Sequence, residues 1–244
     1  MKLEVKNLEK KFKDFIAVNN INFSIKEGQT LGVLGPNGCG KTTTIGMLLG
    51  LIQPSSGEIL IDNKNFEKLN REKILSEFNF ASPYVELPKK LTVKENLEIY
   101  SRLYGVKDFN NRIKEISNDL NLSSFLNKKT GELSSGQKNR VSLAKSLINN
   151  PKILFLDEPT ASLDPDIGDF VRKYIQEYKS KNKVSILLAS HNMKEVEKLC
   201  DHVIMMKEGK IIDRGTCQSL IDKHGRDNLE DTFLKLARNK NELE

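Results

Sequence analysis

Cysteine is scarce and unpatterned. Three cysteines among 244 residues, Cys39, Cys200 and Cys217, have no CxxC or CxxH spacing, so neither a zinc framework nor a disulfide framework is indicated. A reducing cytosol is the simplest compartment. Long apolar runs are missing too. No stretch approaches the roughly 20 apolar residues of a membrane span, and Met1-Lys2-Leu3-Glu4-Val5-Lys6 carries charge where a secretory signal needs an apolar core. The expectation is a soluble chain. Neither sign of charge dominates: 39 Lys and Arg against 33 Asp and Glu leave +6, spread along the chain. A nucleic-acid reader concentrates its charge, so no direct nucleic-acid contact is expected, whereas an anionic nucleotide or an acidic membrane surface suits the balance. Internal repeats and low-complexity blocks are absent. The length allows one large α/β domain, or a core with a small subdomain.

What is present centres on Gly35-Pro36-Asn37-Gly38-Cys39-Gly40-Lys41-Thr42-Thr43. A loop closing on Gly35 and Gly40 can turn its backbone N–H groups inward to cradle phosphates. Lys41 can then reach the β- and γ-phosphates, and the Thr42 hydroxyl can hold magnesium. Thr30 to Leu34 reads as a buried strand before the loop, and Thr43 to Gly50 as a helix after it. Strand, glycine loop and helix N-terminus together form an anion site.

The remaining pattern is mixed. Leu3 and Val5, then Ile21, Phe23 and Ile25, alternate with polar residues and predict an antiparallel β-layer. Glu58 to Asp62 reads as a strand, Asn63 to Asn70 as a polar connection and Phe78 to Ala81 as a short strand. From about Glu86 to Asn150 helical spacing takes over, with Val93, Leu97, Tyr100 and Leu103/Tyr104 on one face and Ile113, Ile116 and Leu120 marking a second helix. Parallel α/β alternation resumes at Ile153: helix 167–178, strand 184–189, helix 193–199 and strands 203–206 and 211–214. A last helix is expected over 229–237, with Arg238 to Glu244 as a frayed charged tail.

Ile153-Leu154-Phe155-Leu156 is the continuous apolar run of a central parallel strand, and Asp157-Glu158 stand at its C-terminal end, where ligand crevices lie. An isolated pair there would be an ordinary polar turn. Beside a phosphate loop the roles divide: Asp157 completes a magnesium shell and Glu158 polarises an attacking water, which implies hydrolysis. Ser134-Ser135-Gly136-Gln137, after Leu133, begins a helix whose apolar face carries Val141, Ala144, Leu147 and Ile148. Hydroxyls, free N–H groups and the helix dipole suit a γ-phosphate, although a serine N-cap taken alone is ordinary structure.

Leu133-Ser134-Ser135-Gly136-Gln137, lying between a phosphate loop and Leu154-Phe155-Leu156-Asp157-Glu158-Pro159-Thr160, resembles the signature of the ATP-binding cassette (ABC) ATPases. Ser162-Leu163-Asp164 resembles the family's D-loop, with Asp164 in communication across a dimer. His191 resembles its switch histidine, in contact with the γ-phosphate. Phe12, ahead of Ala17-Val18, is placed like the aromatic that stacks on adenine. The resemblance runs from about Leu3 to Thr216. It implies an α/β P-loop NTPase with a mainly parallel sheet core, an N-terminal antiparallel β-layer and an inserted helical subdomain. It also implies one nucleotide-binding domain over 1–244: an ATP-binding core of 1–85 and 151–217, a helical signature subdomain of 86–150 and a short helical tail of 218–244.

Nucleotide contacts are expected at Phe12, Val18, Gly35, Pro36, Asn37, Gly38, Cys39, Gly40, Lys41, Thr42, Thr43, Ser134, Ser135, Gly136 and Gln137. Magnesium is expected at Thr42, Asp157 and Ser82, and catalysis at Glu158, His191 and Lys41. Two cassettes of the family pair head to tail around ATP, so a second copy or a related cassette is implied, together with integral-membrane permease subunits.

One departure stands out. The glutamine usual after the short strand near Phe80 is missing: the segment reads Phe80-Ala81-Ser82-Pro83-Tyr84-Val85-Glu86. Ser82 offers a shorter oxygen there, which puts magnesium affinity and coupling in question. Cys39 within the phosphate loop is read as packing. The resemblance implies the ATPase subunit of an exporter, peripheral on the inner face of a bacterial membrane, with Tyr84 and Glu86 at the permease contact. The alternatives are an importer cassette, a non-transport ABC ATPase acting on nucleic acid or ribosomes, and a regulatory module without activity. Against the nucleic-acid class, Lys41 to Leu133 holds no sustained heptads and the chain carries one cassette.

Overall fold

The computed structural model describes residues 1–83, 85–161 and 163–238. In chain order its elements are β1 (Leu3–Phe12), β2 (Phe15–Ile25), β3 (Thr30–Leu34), α1 (Lys41–Leu48), β4 (Ser56–Ile61), β5 (Lys64–Asn65) and α2 (Arg71–Leu75). They continue with β6 (Phe78–Ala81), α3 (Val93–Leu103), α4 (Phe109–Asp119), α5 (Ser135–Leu147), β7 (Ile153–Asp157) and α6 (Pro165–Asn182). The last are β8 (Ser185–Ser190), α7 (Met193–Leu199), β9 (His202–Lys207), β10 (Lys210–Gly215), α8 (Cys217–His224) and α9 (Leu229–Arg238). The chain divides into two units, one of Met1–Arg71 with the chain from Ser185 onward, the other of Glu72–Val184.

In the first unit the alternating segments form the expected antiparallel layer, in the order β2-β1-β4-β5. Leu3 faces Ile25 on one side and Ile61 on the other, and Val5 faces Phe23 and Ile59. All six are buried. Each such side chain contributes roughly 1.5–3 kcal/mol by leaving water. The continuous apolar runs of β3 and β8 become strands buried along their whole length; β3 lies parallel to both β8 and β9, and β10 turns back antiparallel to β9. Leu34, Val196, Val203, Met205, Leu220 and Leu229 form one core cluster under α7, α8 and α9.

In the second unit β6 and β7 run parallel, with Phe78 opposite Ile153 and Ala81 opposite Leu156. The rings of Phe78 and Phe155 meet edge-on at 5.5 Å, a favoured aromatic geometry. Helix α3 begins with a capping box in which Thr92 and Glu95 satisfy each other's backbone N–H groups. Its buried face carries Val93 and Leu97, but Leu103 is 74% exposed. At 100° per residue it is Tyr104, not Leu103, that falls in line with Val93 and Leu97.

Some elements differ from the sequence pattern. Helix α1 starts at Lys41 rather than Thr43, β1 runs on to Phe12, and the polar connection from Asn63 holds β5 and a 3₁₀ turn before α2. Helix α8, capped by the Thr216 hydroxyl on the Ser219 N–H, lies in the stretch expected as a helical tail, ahead of the helix placed over 229–237. Arg238 closes α9 instead of opening a frayed tail, and the expected tail from Asn239 lies outside the described residues.

Candidate functional site

The phosphate loop fills the gap between β3 and α1. Gly38 and Gly40 both adopt positive φ, +80° and +108°, a conformation that favours glycine. At Gly40 a Cβ would come within 2.6 Å of the Ala17 carbonyl oxygen, so only glycine fits. Gly35 is packed as closely: its Cβ would meet Cys39 Sγ and the Met206 carbonyl oxygen, each at 2.5 Å. Cys39 is buried there, and desolvation raises its thiol pKa despite the nearby Lys41 charge. This is a packed, protonated thiol, in keeping with the packing reading.

Gly40 also serves as the N-cap of α1 without a side-chain cap, and the first turn holds no acidic residue. The helix therefore turns the positive end of its dipole toward the loop. Lys41 turns back along the loop, its Nζ donating to the carbonyls of Gly35 at 2.6 Å and Pro36 at 3.1 Å. Pro36, Asn37, Gly38 and Thr42 are exposed and Thr43 half-buried. The Thr44 hydroxyl closes the turn on the Gly40 carbonyl at 2.9 Å.

Register brings a third element in. Leu34, the last residue of β3, pairs with Ser190, the last of β8. Gly35 and His191 each follow directly, so the histidine leaves the sheet beside the phosphate loop, exposed. Phe12 lies on the β1–β2 hairpin, 45% exposed, with Lys10 Nζ 4.9 Å from its ring centre; it is not a core residue. Val18 is wholly buried, close behind Gly40 of the loop.

In the second unit the β6–β7 register performs the same service. Ala81 pairs with Leu156, so Ser82 and Asp157 follow as neighbours, both buried. Glu158 has φ +52°, the left-handed region that a non-glycine residue enters at a cost. The backbone itself therefore turns the carboxylate at the strand end.

Helix α5 starts where the signature begins. Ser134 accepts from the Gln137 N–H at 3.3 Å, and Gln137 Oε1 accepts from the Ser134 N–H at 3.0 Å. This is the capping box of the ordinary reading, and it leaves Ser134 and Ser135 exposed. Gly136 packs closely on α6, where an added Cβ would lie 2.8 Å from Ile167 Cδ1, the movable end of that side chain. Asp164, exposed, precedes Pro165 at the start of α6; Ser162 and Tyr84 lie outside the described residues.

Two anchors of α5, half-buried Asn139 and buried Lys145, carried no sequence signal. Asn139 Nδ2 donates to the Pro159 carbonyl at 2.7 Å, and Lys145 Nζ to the Phe80 carbonyl at 2.8 Å. The second ties α5 to the strand that leads into Ser82. Beside it a groove of about 290 Å³ is lined by Val85, Leu87, Leu133, Val141 and Leu163, with Lys138 among its polar residues.

Phosphate loop, serine-glycine helix start and paired carboxylates, in this order, coincide with a family model described as "ABC transporter", which matches residues 18–161, more than half the chain. The chain belongs to the ABC transporter family. This cassette is 36% identical over 225 residues to the ABC transporter ATP-binding protein NatA of Bacillus subtilis, with 91% of each chain covered. It is 35% identical over 227 residues to the Nod factor export ATP-binding protein I of Burkholderia orbicola, covering 90% of this chain and 72% of that one. Among solved structures it is similar to the dimeric ATP-binding cassette MJ0796 in a post-hydrolysis state bound to ADP and Pi, with a TM-score of 0.80, 27% identity and coverage of 88% and 98%. As a member of the family the cassette binds and hydrolyses ATP, pairs with a cassette and works with membrane permease subunits. Among the described residues no helix is long and apolar enough to cross a membrane.

Proposed function

We propose that this cassette is the motor of an exporter, held at the inner face of the cell membrane by separate spanning subunits. The observation that carries the site is the Leu34–Ser190 pairing, which puts His191 beside the phosphate loop. Export is supported by the likeness to the Nod factor export ATP-binding protein.

In this reading the loop N–H groups of Gly35 to Thr43 and the Lys41 ammonium bind the phosphates, and Phe12 stacks on the base. Val18 shapes the loop from behind. Glu158 orients and deprotonates the attacking water, and His191 donates to the γ-phosphate. Ser134, Ser135, Gly136 and Gln137 meet the γ-phosphate of the nucleotide held by the paired cassette, and Asp164 signals between the pair.

Magnesium fits the residues present. Among the described residues no group of three His, Cys, Asp or Glu could hold a metal, and magnesium is ordinarily held by one or two carboxylates plus substrate phosphates rather than by a protein cage. Thr42 is assigned to it by its place after Lys41, Asp157 by its place at the end of β7, and Ser82 as the nearest replacement for the missing glutamine. When bound, the ion neutralises charge on the β- and γ-phosphates.

The groove beside Val85 and Leu133 suits a short helix of the permease, with Glu86 at its edge. The test is gentle extraction of the tagged chain from native membranes, mass spectrometry of what co-purifies, and reconstitution of the partner in vesicles. A multi-span partner that changes ATP turnover supports the reading. Recovery with ribosomes or nucleic acid, or turnover indifferent to the partner, would discard it.

A further inference from the structure

Glu195 is a carboxylate with 0% exposure on the short helix α7, and no role described so far uses it. Burying a carboxyl is costly unless donors meet it. Here one donor is the Ser190 hydroxyl, also at 0% exposure, which bonds Glu195 Oε2 at 2.6 Å. The same hydroxyl accepts from the Asn192 N–H at 3.0 Å. Asn192 Oδ1 in turn accepts from the Glu195 N–H at 3.3 Å and caps α7. Ser190 and Asn192 flank His191 on either side. A closed circuit of three hydrogen bonds thus runs around the residue that the β3–β8 register sets beside the phosphate loop.

We infer that Glu195 is a positioning residue for His191: its buried carboxylate orients the Ser190 hydroxyl, the hydroxyl holds the Asn192 N–H, and the backbone between them presents the imidazole. The inference rests on the proposed contact of His191 with the γ-phosphate. The Glu195 side chain is suited to the task because its Oε2 accepts the Ser190 hydroxyl proton at 2.6 Å and so leaves the hydroxyl oxygen facing the Asn192 N–H. A serine hydroxyl without that acceptor could turn its proton elsewhere and release Asn192.

The experiment is a double-mutant cycle in the full chain, with Glu195→Ala, His191→Ala and the pair, reading kcat, KM for ATP, nucleotide affinity and thermal melting. Glu195→Ala should lower kcat by about tenfold or more with KM within about threefold, and should cost less than about twofold when His191 is already alanine. A factor in the His191→Ala background equal to that in the parent would overturn the inference, because Glu195 would then act on the fold at large. His191→Ala turning over like the parent would instead remove the role of the histidine, a separate failure. If Glu195→Ala does not fold, Ser190→Ala takes its place in the cycle under the same criterion.

Discussion

Asn139 Nδ2 donates to the Pro159 carbonyl at 2.7 Å, so a side chain of the signature helix holds the turn that directly follows Glu158. Both ends of this bond belong to one unit. Removing the donor from a buried carbonyl costs about 1–3 kcal/mol. Asn139→Ala is expected to lower the melting temperature by a few degrees and to slow ATP turnover more than it weakens nucleotide binding. A loss of binding with unchanged kcat would separate the bond from Glu158.

Glu158→Gln keeps the shape of the side chain and removes its basicity. Turnover should fall to background while nucleotide affinity is retained, so that an ATP-bound dimer accumulates and is seen as a mass shift on a sizing column. Lys41→Ala should weaken nucleotide affinity by about tenfold or more, since a charge-assisted contact is lost. Unaltered hydrolysis in both variants would sink the site.

Gly40→Ala meets two obstacles, the positive φ and the Ala17 carbonyl oxygen at 2.6 Å. A destabilisation of roughly 2–4 kcal/mol is expected, with nucleotide binding lost before the fold. Gly105→Ala is the control: its φ is +67° but nothing lies within 4 Å of the added carbon. It should cost about 1 kcal/mol and leave nucleotide binding unchanged. Equal costs for the two would show that close approach at Gly40 is unimportant.

Lys145 gives the cassette an alkaline signature. Burial lowers its pKa from an ordinary 10.5 to about 8, with the Phe80 carbonyl at 2.8 Å and the Tyr100 ring centre at 5.4 Å around the ammonium. Between those two values the unfolded chain binds more protons than the folded one, so stability rises with pH across the window. The full effect is on the order of 3 kcal/mol. Urea unfolding at pH 7.5 and at pH 10 should show this rise relative to Lys145→Met, whose profile lacks it. Parallel profiles would contradict the assignment.

Asp213 acts at the acid end. Burial alone would raise its pKa, but hydrogen bonds from Lys223 at 2.8 Å and His224 at 2.6 Å, with the Arg214 N–H, outweigh it and hold it low. A lowered carboxylate pKa contributes stability above its unfolded value that is lost as pH falls through the folded one. Helix α8 is therefore expected to loosen only below about pH 4. Asp213→Asn should loosen it at neutral pH, read as faster amide exchange in α8 than in β3.

Much of this was legible because periodicity and glycine spacing are local properties. Leu3, Val5, Phe23 and Ile25 announce their layer by alternation, and the glycines from Gly35 to Gly40 announce a loop that other residues could not form. What stayed hidden was tertiary. Asn139 and Lys145 bond backbone carbonyls distant in sequence, and nothing in their neighbours distinguishes them from surface residues of a helix. The left-handed turn at Glu158 was equally unreadable, since only glycine or asparagine would have suggested it. The short helices α2 and α8 offered too few residues for a helical period to emerge.

The pairing of Leu34 with Ser190 turns β8 into a ruler. Adding or deleting one residue between Ile186 and Ser190 would slide His191 about 3.3 Å along the sheet or turn the strand's side chains to its other face. Length changes before Ser185 or after α7 carry no such consequence for the spacing of Gly35 and His191. Side chains along β8 can be exchanged for others of similar bulk, but their number cannot drift.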